Sequence, residues 1–255
     1  MSYCLEHYPT RWIDVWHLAG GRRVTVRPVL PQDAELEQAM VRALSPASRY
    51  QRFFSPIREL PQGWLERLTQ IDYRQQQALI AETFVGDQAV AVAEARYVID
   101  ASGREAEFAV VVADDWRHLG LARRLLGALL RSAAQAGLQR LVGDVLSTNQ
   151  AMLSLARSLG FEVVRHPDGG AQVLRVQKTL NPNDAAGTPA AAVALAPTAP
   201  APSGPTEWAG RGDERCGDHV SVGGDRDLGH VVIAIDDQRP DAPLHDILTV
   251  ILKMF

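Results

Sequence analysis

Apolar and polar positions along the first 181 residues switch between a period of two and a period near 3.6, and the switches mark out the elements. RRVTVRP (22–28) alternates and predicts a strand. PQDAELEQAMVRAL follows, with Pro31 at a first helical position and acids in the first turn, and predicts a helix. SPASRYQRFF and LPQGWLERLTQ read as two further short helices. QALIAETF, QAVAVAEARYVI and EAEFAVVVAD predict three strands, separated by turns at Gly86-Asp87 and Ser102-Gly103. From Leu119 to Ala136, the residues Leu121, Leu125, Leu129 and Ala133 share one helical stripe, and Gly137 suits the C-terminal cap. LQRLVGDVL predicts a buried strand and NQAMLSLARSLG a second helix. FEVVRH and AQVLRVQKTL predict a final pair of strands joined at Asp168-Gly169-Gly170. This order predicts one three-layer α/β domain built on a mixed sheet.

The pattern stops after Leu180. Residues 182–205 are nearly all Ala, Pro, Gly, Thr and Ser, too poor in large apolar groups to offset their ordering entropy, and read as a disordered linker. Residues 206–255 end in HVVIAID and LHDILTVILKMF, a candidate strand and short amphipathic helix. So short a piece buries little core alone, and it reads as a non-catalytic appendage. The division is therefore an N-terminal segment (1–19), a catalytic domain (20–181), a linker (182–205) and a tail (206–255).

Composition narrows the function classes. No apolar run is long enough for a membrane span, and the N-terminus lacks the basic-then-apolar pattern of a signal peptide. Cys4 and Cys216 lie far apart, without a His/Cys cluster, so neither a disulfide framework nor a metal site organises the fold. A reducing cytoplasm is the expected location. The net charge of -4 is too mild to argue for nucleic acid or an anionic membrane as partner. The histidines show no metal-ligand spacing.

The most informative joint is FAVVVADDWRHLGLARRLLGALL, where an apolar strand runs through a short turn into a long helix. A helix start offers unpaired N–H groups and the positive end of the dipole, a ready site for phosphate oxygens. Gly120 lets the backbone approach those oxygens, Ala122 keeps the next position small, and Arg117, Arg123 and Arg124 add positive charge. A capped surface helix with solvated arginines is the plainer reading of this motif alone. Asn149 is a natural N-cap for the helix after it.

In context, the chain resembles the GNAT superfamily. The residues that carry the likeness are the Arg117-x-x-Gly120-x-Ala122 turn after a strand, then Asn149 opening a helix that ends in Leu159-Gly160-Phe161. The resemblance covers roughly residues 20–180. GGRRVTVRPVLPQD, LSPASRYQRFF, QIDY and AEFAVVVADDW are similar to the bacterial protein-lysine acetyltransferase branch that modifies acyl-CoA synthetases.

This resemblance implies a GNAT-like mixed sheet and acetyl-CoA as co-substrate. Val111, Val112 and Ala113 would offer backbone groups to the pantetheine arm. Arg117, His118, Leu119, Gly120, Leu121, Ala122 and Arg123 would surround the pyrophosphate, and Asn149 would bond the cofactor near the pantetheine. Glu107 matches the branch's general base, with Glu105 as competitor two residues away on the same strand face. Many relatives carry a Tyr seven residues after the Asn as acid for the leaving thiolate; here Ala156 stands there.

The implied reaction is acetyl transfer to a protein lysine by direct attack in a ternary complex. Two alternatives stay open. One is acetylation of a small amine, and the other is a non-catalytic domain that senses acetyl-CoA. Retention of Glu107 weighs against the second. Arg49, Tyr50, Arg52 and Phe53 either line a substrate entrance or pack their helix onto the sheet.

Overall fold

The computed structural model describes residues 8–168, 170–181 and 184–185. Apart from Asp184 and Ala185, the expected linker and tail lie outside the described residues, as do Cys4 and Cys216. Eight strands form one sheet: β1 (Asp14–His17), β2 (Arg23–Pro28), β3 (Gln76–Val85), β4 (Gln88–Ile99), β5 (Glu105–Val112), β6 (Arg140–Leu146), β7 (Glu162–Arg165) and β8 (Val173–Thr179). Their order across the sheet is β1-β2-β3-β4-β5-β6-β8-β7. Every neighbouring pair is antiparallel except β5 with β6, which is parallel. This is the mixed α/β fold the sequence predicts, with one strand more. β1 precedes the first expected strand, and at four residues it is too short to show a period of its own.

Five helices cover the two faces: α1 (Ala34–Ala43), α2 (Pro46–Phe53), α3 (Gln62–Thr69), α4 (Leu121–Gln135) and α5 (Gln150–Ser158). Alternation along β3 shows how the layers separate. Leu79 and Ala81 join the core beneath α4, while Ala78 and Ile80 pack with Met40 of α1 on the opposite face. The predicted stripe of α4 is fully shut off from solvent at Leu125, Leu129 and Ala133, so truncating either leucine to Ala costs about 2–5 kcal/mol. The helix ends as expected. Gly137 takes φ 78°, the Gly137 N–H bonds the Ala134 carbonyl at 3.1 Å, and the Leu138 N–H bonds the Ala133 carbonyl at 3.1 Å.

The acid-rich start of α1 hides an exception to the surface-charge rule. Glu37 is 0% exposed, and neither carboxylate oxygen has a hydrogen-bond partner among the described residues. Arg96 approaches no closer than 3.9 Å. Burial first, and the neighbouring Glu94 second, push the Glu37 carboxyl up to about 8 against the attraction of Arg96 and Arg52. Below the ordinary value of 4.5, folded and unfolded chains both hold the proton. As pH climbs from there towards 8, the unfolded chain releases it and the fold retains it, so stability falls through that window. Glu37→Gln removes the effect. Its melting temperature relative to the parent should rise between about pH 5 and pH 8 by roughly 3 °C or more, the shift that about 1 kcal/mol makes in a domain of this size. A difference that stays flat with pH would mean Glu37 is ionised in the fold.

Candidate active site

The parallel pair β5–β6 sets up the site. Pairing holds only from Glu105–Arg140 to Glu107–Val142, and beyond it the two strands share no further register. Phe108 stands at this divergence. Its ring lies over Gly143, where a Cβ would come within 2.7 Å of a ring carbon, and it packs against Phe161 with centroids 5.3 Å apart.

The ladder to β4 decides which backbone groups face the gap. The Asp100 N–H bonds the Glu105 carbonyl at 2.9 Å, and the Ala113 N–H bonds the Val92 carbonyl at 2.8 Å. In an antiparallel ladder, alternate residues bond the same neighbour. The odd-numbered residues of β5 therefore turn their N–H and C=O groups to β4, Val111 and Ala113 included. Val110 and Val112 turn theirs towards β6 and the gap. Val110, which the sequence reading did not single out, thus joins Val112, and the phase that separates it from Val111 is visible only once the register is known.

A cleft of about 390 Å³ opens along this gap. Its walls include Glu107 and the rest of β5 to Val112. They also include Arg117, His118, Gly120, Leu121, Ala122 and Arg123 of the following turn and helix start, Asn149 and Met152 of the α5 entry, and Arg52 and Phe53 of α2. Of the predicted site residues, Glu105, Ala113 and Leu119 do not line it. Glu105 pairs with Arg140 at 3.2 Å, and Leu119 packs against the core.

The turn into α4 is built from unusual backbone. After a single 3-10 turn (Asp114–Trp116), Arg117 is extended, His118 has φ 61° and Gly120, the N-cap, has φ 81°. His is one of the few side chains that tolerates that region, whereas Gly120 needs no tolerance. No side chain caps α4, so its first N–H groups remain for another partner at the cleft wall.

The arginines divide. Arg117 donates to Ser48 Oγ at 2.7 Å and lies 3.3 Å from Asp114, and Arg123 donates to Ser158 Oγ at 2.6 Å. Arg124 instead bonds the His17 carbonyl at 3.0 Å and stacks over Trp16 at 4.3 Å; it is not part of the cleft wall.

Asp114 is the residue the sequence concealed. Its carboxylate accepts the Ser45 N–H at 2.9 Å, the Ser45 hydroxyl at 3.1 Å and the Ser48 hydroxyl at 2.6 Å. Burial pushes its carboxyl up, but these bonds and Arg117 outweigh that and hold it below the usual range. One carboxylate thus ties the start of α2 to the turn that begins α4. From the other side, Arg22 donates to the Asp115 carbonyl at 2.6 Å and covers the Trp116 ring at 4.8 Å.

Two further positions bear on chemistry. The Asn149 side chain accepts the Met152 N–H at 3.1 Å, the expected cap, and its amide donors remain for another partner. Ala156 is buried in the core, so no hydroxyl stands there. The entrance residues split as well. Phe53 and the side chain of Arg52 are buried at the cleft wall, Arg49 bonds the last carbonyls of the α1 region, and Tyr50 is exposed. Among the described residues, no group of His, Cys, Asp or Glu could hold a metal ion, and no helix is long and apolar enough to cross a membrane.

A parallel strand pair parts over a cleft bordered by an uncapped helix start and by Arg117 and Arg123, an arrangement able to take an extended ligand that carries phosphate. Residues 43–161 match the model of the acetyltransferase (GNAT) family. The chain is 34% identical over 163 residues to Acetyltransferase PA5475 of Pseudomonas aeruginosa, spanning 87% of that protein and 64% of this one. It belongs to the GNAT family and is an acetyl-CoA-dependent N-acetyltransferase. It is also 34% identical over 155 residues to Acetyltransferase Pat of Mycolicibacterium smegmatis, covering 58% of this chain but only 44% of that longer protein. The crystal structure of the GNAT domain of S. lividans PAT superposes with a TM-score of 0.61 at 28% identity, over 68% of this chain and all of that one.

Proposed function

We propose that this enzyme acetylates lysine side chains of a cytoplasmic protein, an acyl-CoA synthetase being the first partner to test, by direct attack in a ternary complex with acetyl-CoA. The observation that carries the reading is Glu107 at the wall of the cleft, on the strand that borders the gap. Similarity to Pat proteins supports a protein acceptor.

The chain's own residues fit the cofactor. The uncapped start of α4, with Gly120 open on its Cβ side and Arg117 and Arg123 beside it, suits a pyrophosphate. Val110 and Val112 suit a pantetheine arm, and Asn149 adds donors near it. Bound acetyl-CoA supplies an activated thioester.

A lysine amine has a pKa of about 10.4 and arrives protonated. Glu107 takes that proton, directly or through a water, and the neutral amine attacks the carbonyl carbon. A gap-facing backbone N–H of β5 stabilises the developing oxyanion. With Ala156 in place of a tyrosine, solvent protonates the departing thiolate.

Two measurements test this. Initial-velocity patterns should intersect, and changing Cys4 and Cys216 together to Ser should leave turnover intact; ping-pong patterns or a trapped acyl-cysteine would overturn direct attack. Labelled acetyl-CoA in a lysate should mark protein lysines, located by mass spectrometry of the digest. Label confined to small amines would overturn the protein acceptor.

A further inference from the structure

Helix α4 has a glycine at its centre, where glycine costs about 1 kcal/mol relative to alanine. Packing does not demand it: a Cβ on Gly127 would meet only Arg131 Nη1, at an ordinary 3.7 Å. Gly127 borders a cavity of about 210 Å³, shared with Arg11, Trp12 and the β1 residues Asp14 and Trp16. Four arginines border this hollow, Arg11, Arg123, Arg124 and Arg131, against one acidic residue, Asp14.

That carboxylate is already engaged. It accepts the Val15 N–H and the Trp16 indole N–H, each at 2.8 Å. Burial lowers the Arg131 guanidinium, and no carboxylate opposes the effect. Arg131 Nε–H and Trp12 Nε1–H are both closed off from solvent with no acceptor among the described residues, and Trp12 is only 8% exposed. The hollow therefore combines more cations than the one carboxylate of Asp14 can balance with buried donors that lack an acceptor among the described residues, and each kind costs stability unless matched.

We propose that this hollow is a second anion site that takes a small phosphoryl group, separate from the cofactor cleft. A tetrahedral oxyanion presents several acceptors at once, which suits forked guanidiniums. The volume lies below the roughly 300–1,000 Å³ of drug-sized pockets, so the ligand is inorganic phosphate or a compact phosphate monoester, not a whole nucleotide. Gly127 keeps the space open. Arg123 lines both this hollow and the cleft, so the same chemistry has a second possible source in the 3′-phosphate of the cofactor.

The test is calorimetric titration of the full chain with inorganic phosphate, alone and saturated with acetyl-CoA. One phosphate should bind in both cases. Gly127→Leu, which fills the hollow and favours the helix, and Arg131→Gln, which removes a cation, should each weaken phosphate binding by about tenfold or more, leaving acetyl-CoA affinity within about twofold. Melting curves establish that both variants fold, and Gly127→Leu keeps the test alive if Arg131→Gln does not. Absence of phosphate binding, or variants that bind it as the parent does, would overturn the proposal. So would phosphate binding that coenzyme A abolishes and dephospho-coenzyme A spares, because the site would then belong to the cofactor's own phosphate.

Discussion

Glu107→Gln should lower kcat by roughly 10²–10⁴-fold, the usual share of a general base. The change keeps the shape of the side chain and removes the carboxylate. Acetyl-CoA affinity should hardly move, because the carboxylate serves the amine. Raising the pH should partly restore the rate, since more amine is then already neutral in solution. The same change at Glu105 should be mild: that carboxylate is paired with Arg140 and does not line the cleft. A crippled Glu105→Gln beside an active Glu107→Gln would shift the base by two residues. Full activity in both would remove strand carboxylates from the mechanism, and a bound water or the acceptor's own surroundings would have to take the proton.

Gly120→Val should weaken acetyl-CoA binding by at least about tenfold, or about 1.4 kcal/mol. The cause is conformational and not a clash, because nothing lies within 4 Å of a Cβ built there. Gly120 sits at φ 81°, a region that a β-branched residue enters only at high cost, so the valine must drag the first turn of α4 out of place. The displaced turn carries the uncapped N–H groups, with Arg117 and Arg123 on either side. Calorimetry reads the loss directly, and a melting curve separates it from unfolding. Parent-like affinity in a folded variant would take the phosphate role away from this turn.

Local signals made most of the fold legible from sequence. The α4 stripe, the Gly137 cap, the Asn149 cap and the three meandering strands each rest on residues within one turn or one hairpin, and each appears in the structure. What escaped depends on contacts distant in sequence. Asp114 carries no local sign of its role, because the fold brings Ser45 and Ser48 to it across 69 and 66 residues. Glu37 reads as a first-turn helix acid until α1 is laid against Glu94 and Arg96. Arg124 sits beside Arg123 in the chain, yet Arg123 bonds Ser158 of α5 while Arg124 bonds the His17 carbonyl at the end of β1, and only Arg123 reaches the cofactor cleft. The gap-facing residues of β5 depend on ladder phase, which alternation alone leaves undetermined by one position.

The three-residue pairing of β5 with β6 divides the sheet mechanically. On one side stand the five antiparallel strands β1 to β5; on the other stand β6, β8 and β7. Within the sheet the two blocks meet at a short seam beside Glu107, and Phe108 and Gly143 sit just above it. The cleft is thus narrowest where Phe108 takes the place of a side chain on Gly143. A methyl added at Gly143 would meet that ring at 2.7 Å, so either the ring is displaced or the two strands are pushed apart at the closed end of the opening.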